Sequence, residues 1–257
     1  MNIIFCGGCI NRQHNITPAQ HYHAIVKQAI ALKTATAPNS WQRFYSSFYE
    51  LEKEATEMLQ RDTHYNYLVI FLRPYTLMPL TKLLIRYTDN NMQQRLALSP
   101  KFSARKYYNN MMKEYKVPVQ TQSATGLTYQ VFQTLNDIAG DILGLHHWAH
   151  QQVINILTNI QAVAASKGTR LILLGPPLYP ANQRVSKSCI ELNNKIALFA
   201  AANQVIHVDM VAPAEKDENV FSMPDGKHIN LQGHAFMAAG ILECLTVGAP
   251  LAGALLP

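Results

Sequence analysis

The residue types that nucleophilic and proton-transfer chemistry needs lie at opposite ends of this chain. Near the C-terminus, Met223–His234 gathers Asp225, His228, Asn230, Gly233 and His234 into twelve residues. Asp225 and His228 are three apart with Gly226 between them, in a turn just ahead of an apolar segment, Ala235–Leu245. An acid so placed can reach the imidazole, hold its tautomer and leave the other ring nitrogen free to move protons. The same residues also read as a polar loop capping a C-terminal helix, with Asn230 as N-cap. The other end of the chain favours chemistry. There Gly7-Gly8 delivers a thiol, Cys9, directly after a short apolar run. An ionised thiol is a strong nucleophile, and a nearby imidazolium lowers its pKa from the free value of about 8.5. Cys9 could serve as a nucleophile, with His228 moving the proton and Asp225 orienting His228. His234, six residues beyond His228, reads as a structural hydrogen-bonder.

Positioning these groups falls to alternating strands and helices. Asn2–Cys6 reads as a buried first strand stopped by Gly7-Gly8. Pro18 suits the first turn of a helix running through His23, Val26 and Ile30. Tyr67–Leu72 is a second buried strand, ended by Arg73-Pro74. Arg170–Leu174 and Val205–Asp209 are further strands, and Ser188–Asn203 reads as a helix. Trp41–Leu59, aromatic and then Glu-rich, also reads as helical, as does Val131–Ser166. The basic, Tyr- and Met-containing stretch 75–129 reads as a helical insertion, either a lid over a site or a helical pair packed on the sheet edge. The pattern predicts a single α/β domain over 1–246: a three-layer sandwich with a central parallel sheet and that insertion. Residues 247–257, without period, read as a flexible tail. In such a sheet a ligand sits outside the carboxyl ends of the strands, where Cys9 falls.

Nucleophile first and Asp-x-x-His last is the chain order of the SGNH, or GDSL-like, hydrolases, and this sequence resembles them. Gly7-Gly8-Cys9 lies where that family has Gly-Asp-Ser, and Asp225-Gly226-Lys227-His228 with Asn230 and Gly233 matches its last motif. Leu173-Leu174-Gly175-Pro176-Pro177 and Val208-Asp209 look like family segments too. The resemblance covers about the first ten residues and Arg170–Leu245. It implies a flavodoxin-like SGNH fold and an esterase, thioesterase or acyltransferase with a covalent acyl intermediate, in which Cys9 attacks an ester or thioester carbonyl, His228 takes and returns the proton, and the N–H groups around Gly8 and Cys9 hold the oxyanion. Three departures accompany it. Cys9 replaces the family's Ser. Phe71-Leu72 runs into Arg73-Pro74-Tyr75 without the family's oxyanion Asn, and Asn136-Asp137 lacks the preceding Gly. No match for the family's second-block Gly lies between Ser40 and Leu59. Losing a side-chain oxyanion donor costs about 3–4 kcal/mol in a hydrolase where it has been tested. Arg73, at the end of a buried strand, would supply a charged substitute or bind a substrate anion.

Composition narrows the classes. The chain has 257 residues, 48% hydrophobic and 15% charged, enough for a full core and against disorder. The net charge of +6 is dispersed, which argues against nucleic acid and favours an anionic acyl carrier such as a coenzyme A or phosphopantetheine ester. No secretory signal or membrane span is expected, and four scattered cysteines suit a reducing cytoplasm. No cofactor or metal is expected. Three other readings stay open. Cys6-Gly7-Gly8-Cys9 is also a Cys-x-x-Cys redox pair. Cys6, Cys9, His228 and His234 would make a zinc site. The missing oxyanion residues would also suit a retired hydrolase fold kept as a binding module.

Overall fold

A computed structural model describes residues 1–7, 9–12, 16–45, 48–72, 145–180, 183–215, 217, 219–224 and 228–247. The expected insertion at 75–129 lies outside the described residues, as does the expected tail, 247–257, apart from Val247, which is helical. Among the described residues five strands form one sheet: β1 (Asn2–Gly7), β2 (Asn39–Phe44), β3 (Tyr67–Phe71), β4 (Arg170–Leu174) and β5 (Ile206–Val208). The helices are α1 (Tyr22–Thr34), α2 (Phe48–Leu59), α3 (Leu145–Ser166), α4 (Gln183–Asn203) and α5 (Leu231–Val247). The strand order is β2-β1-β3-β4-β5 and every pairing is parallel.

The parallel sheet follows from strands that are apolar on both faces. Successive side chains of a strand point to opposite sides. Ile4, Cys6, Leu68, Ile70, Leu171 and Leu173 therefore face one layer, packed with residues of α2, α3 and α4. Ile3, Phe5, Val69, Phe71, Ile172 and Leu174 face the other, packed with residues of α1 and α5. Each such buried side chain contributes roughly 1.5–3 kcal/mol by leaving water. This is the three-layer α/β sandwich expected from the sequence.

One element differs from expectation. Trp41–Phe44, read as the start of a helix, belongs to the edge strand β2, which runs in register with Asn2–Gly7. Among the described residues it pairs on one side only, and Asn39, Ser40, Gln42 and Arg43 are polar. No apolar run was present to announce it. Helix α2 begins after it, at Phe48. Helix α4 begins at Gln183, five residues ahead of the expected Ser188.

The chain passes from β1 to its neighbour β2 and then crosses to β3 on the other side of β1. The strand order reverses there, and outside the carboxyl ends of β1 and β3 is where open sheets of this kind generally take their ligands. The rim of that edge is tied across the strands. Tyr45 N–H donates to Gly7 O at 3.3 Å, and Tyr45 Oη donates to Phe71 O. Leu72 N–H donates to Leu174 O at 2.9 Å. Arg73 would follow directly from that last pairing, and itself lies outside the described residues.

Candidate active site

Cys9 opens a 3-10 turn, Cys9–Arg12, that leaves the carboxyl end of β1. Asn11 in this turn is 1% exposed. Its Nδ2 donates to Phe5 O at 3.3 Å, and its Oδ1 accepts from Tyr22 Oη at 2.8 Å. A Cβ built on Gly7 would lie 2.6 Å from that Oδ1, so the glycine leaves the space that the Asn11 amide fills. The Asn11 carbonyl accepts from His23 Nε2 at 3.0 Å, and Gln42 Nε2 donates to His23 Nδ1 at 3.3 Å.

The C-terminal half is built from a hairpin ahead of α5. Ser222 and Ile229 form an antiparallel bridge. Met223 N–H donates to His228 O at 2.7 Å, and Asn230 N–H to Phe221 O at 2.9 Å. His228, half-buried, thus closes a hairpin of which Met223 is the other end. Asn230 caps α5 as expected: its Oδ1 accepts the Gly233 N–H at 2.9 Å. Its Nδ2 donates to Val220 O at 2.9 Å and Ser222 O at 3.1 Å, so one side chain ties the hairpin to the helix.

Gly233 lets hairpin and helix approach. A Cβ there would collide with Ile229 Cγ2 and come within 3.2 Å of Phe221 Cβ and of Phe221 O, a backbone atom. Gly233→Ala is therefore expected to cost about 1–3 kcal/mol by overpacking and to push the His228 hairpin off α5. Denaturant unfolding checks this, and an unchanged midpoint would mean that the hairpin moves away freely.

The two ends of the chain meet through a histidine. His234 is fully buried in the first turn of α5, and its Nδ1 accepts the Tyr22 N–H at 3.1 Å. Its ring proton must then sit on Nε2, which has no hydrogen-bond partner among the described residues. His234 lies against Tyr22 at 6.1 Å and against His21 at 5.5 Å, and His21 stacks on His23 at 5.5 Å. Burial, reinforced by His21 and His23, pushes the His234 pKa down to about 3. This is the structural role expected of His234.

Of the residues read from sequence, the structure brings the Cys9 turn and the hairpin of His228 to the same α1–α5 layer, through Asn11, Tyr22 and His234. The side chain of Cys9 and all of Gly8, Arg73 and Asp225 lie outside the described residues. The sequence reading missed Asn11, Tyr22, His21 and His23 as supports. Their signal was present: a carboxamide two residues after the thiol, and His21-Tyr22-His23 at a helix start.

The remaining polar and thiol groups mark what lies elsewhere. Cys6 is 1% exposed and faces the α2–α3–α4 layer. Burial, with Glu54 adding and Arg43 opposing, pushes its thiol up to about 12. His234 packs in the opposite layer, so Cys6 and His234 do not share a zinc shell. Among the described residues no group of three or more His, Cys, Asp or Glu could hold a metal. His150 Nε2 lies 2.8 Å from Ser188 Oγ, and both are buried, one on α3 and one on α4. Asp209 Oδ1 accepts from Val211 N–H at 2.7 Å, Ala212 N–H at 3.2 Å and Asn193 Nδ2 at 3.1 Å, which shapes the loop after β5.

No family model matches the sequence, and no curated protein matches it. Solved structures do match. A lipolytic protein of the G-D-S-L family from Veillonella parvula aligns with a TM-score of 0.53 at 14% identity, over 96% of this chain and 98% of that one. A lipase from a goat rumen metagenome aligns with a TM-score of 0.59 at 10% identity, over 95% and 96%. An acetyl-xylooligosaccharide esterase variant from Geobacillus Stearmophilus aligns with a TM-score of 0.55 at 10% identity, over 98% and 96%. At these identities the likeness is one of fold: the chain has the α/β fold of the SGNH/GDSL hydrolases.

Proposed function

We propose that this protein is an acyl-transfer enzyme, an esterase, thioesterase or acyltransferase, with Cys9 as nucleophile, His228 as general base and acid, and Asp225 as the residue that orients His228. The observation that carries this reading is the Tyr22 N–H bond to His234 Nδ1 at 3.1 Å, which joins the layer after β1 to the first turn of the last helix. It supports the convergence that a nucleophile on the first strand and a base before the last helix require. The fold, shared with lipases and esterases, supports the same chemistry.

The reaction proceeds as two displacements. Cys9 Sγ, ionised by transfer of its proton to His228, attacks the carbonyl carbon and forms a C–S bond. The tetrahedral oxyanion is held by N–H groups near Gly8 and Cys9, and by Arg73. Its collapse breaks the bond to the leaving oxygen or sulfur, which takes the proton from His228. Water or an acceptor alcohol or thiol then attacks the thioester, giving its proton to His228 and releasing Cys9. The substrate is a small or carrier-borne acyl ester or thioester, met in the cytoplasm. Among the described residues no helix is long and apolar enough to cross a membrane.

The test is intact mass after incubation with a panel of acyl thioesters. An acyl adduct mapping to Cys9 is expected, and no adduct with any acyl donor, thioester or reactive ester, would end the reading. Cys6→Ser separates it from the redox alternative. A buried thiol with its pKa near 12 is a poor redox partner. The substitution should leave acyl turnover within about twofold, since it lies outside the reacting groups. Loss of all activity would favour the redox pair instead.

A further inference from the structure

We propose that Asn11, Tyr22 and His234 are positioning residues: a buried hydrogen-bonded chain that holds the turn carrying Cys9 against the first turn of α5. The consequence for catalysis rests on the acyl-transfer reading above; the brace itself rests on geometry.

The chain is continuous. Phe5 O, on β1, accepts from Asn11 Nδ2 at 3.3 Å. Asn11 Oδ1 accepts from Tyr22 Oη at 2.8 Å. Tyr22 N–H donates to His234 Nδ1 at 3.1 Å. His234 N–H donates to Asn230 O at 3.1 Å, the residue that ties the His228 hairpin to the helix. The path therefore runs from the strand before Cys9, through the turn that contains it, to the loop that contains His228. Asn11, Tyr22 and His234 are all essentially buried, at 1%, 0% and 0% exposure.

Such a network is not what packing alone would select. Burying polar groups is costly, and the hydrogen bonds made by the Asn11 amide, Tyr22 and His234 Nδ1 fix one geometry where apolar side chains would tolerate several. Asn11 is gripped at both ends of its amide and at its carbonyl, so the turn has little freedom to slide. A nucleophile on a four-residue turn needs that support, because a displacement of about 1 Å is enough to cost about a hundredfold in rate.

Tyr22→Phe tests the brace most cleanly. It removes only the hydroxyl and keeps both the ring stack and the main-chain donor to His234. One lost hydrogen bond corresponds to about a tenfold change in a local equilibrium. Amide hydrogen exchange at 9–12 should speed up about tenfold while that of β4 is unchanged. The rate of Cys9 acylation should fall about tenfold with KM unchanged. Unchanged exchange at 9–12 overturns the brace, and faster exchange with unchanged acylation overturns the positioning role. If the Phe variant does not fold, His234→Leu against His234→Asn gives the same comparison. Asn keeps an acceptor near the Nδ1 position, so exchange protection at 9–12 should survive better than in the Leu variant; equal loss in both overturns the brace. A wild-type protein that never acylates ends the acyl-transfer reading, while the exchange measurement still decides the brace.

Discussion

Cys9→Ala is expected to abolish the acyl adduct and lower turnover by about a thousandfold or more, as loss of a covalent nucleophile does elsewhere. His228→Ala should fall by a similar factor, because an un-ionised thiol at neutral pH is a poor nucleophile. The double variant should be hardly worse than either single one. Residues that act as a unit are grossly non-additive, since removing one already removes the step that the other serves. Multiplying losses would instead mean that the two residues act separately. Steady-state kinetics with a thioester substrate, alongside intact mass, reads all three variants.

The second large effect is on acid stability, and it comes from His234. Its pKa in the folded protein is pushed down to about 3, first by burial and then by His21 and His23, against about 6.5 when unfolded. Between those values the unfolded chain binds a proton that the folded chain refuses. Stability from this group is therefore fully present above about pH 6.5 and falls as the pH drops toward 3, by at most about 1.4 kcal/mol per pH unit. His234→Asn keeps an acceptor for Tyr22 N–H and removes the titration. Between pH 6.5 and 4 the wild type should lose about 2–3 kcal/mol more than this variant. Denaturant midpoints across that range measure it; parallel curves would show that His234 does not titrate with unfolding. His207 carries the same sign, lowered by burial against its bond to Gly175 O and the nearby Asp209. It contributes equally to both proteins and drops out of the difference.

How far the sequence revealed the fold depended on burial. The central strands β1, β3 and β4 are apolar on both faces and were legible as short runs. The edge strand β2, Asn-Ser-Trp-Gln-Arg-Phe, carries its pairing in backbone hydrogen bonds, which leave no mark on side-chain type. The Asn230 cap was legible because a carboxamide just before an apolar helix has few other uses. The role of His234 could be read only as structural in kind. Its partner, Tyr22, is 212 positions away, and a contact with a main-chain N–H leaves no trace in the identity of the donor. Asn11 was hidden for a related reason: its value lies in the space left by Gly7, and the sequence had offered that glycine as a strand stop. The proposed chemistry rests on residue types and chain order, Cys9 first and Asp225-x-x-His228 last, while the fold itself is shared with the SGNH/GDSL hydrolases.

The pairing of Cys9 with His228 is tested most directly by the pH dependence of Cys9 alkylation, followed by peptide mapping. Cys6 and Cys189, with thiols raised by burial, should stay unlabelled. A thiolate held by an imidazolium should react with a midpoint at least about one unit below the free value of about 8.5, and His228→Ala should return it there. A wild-type midpoint at or above the free-thiol value, unmoved by His228→Ala, would contradict the account.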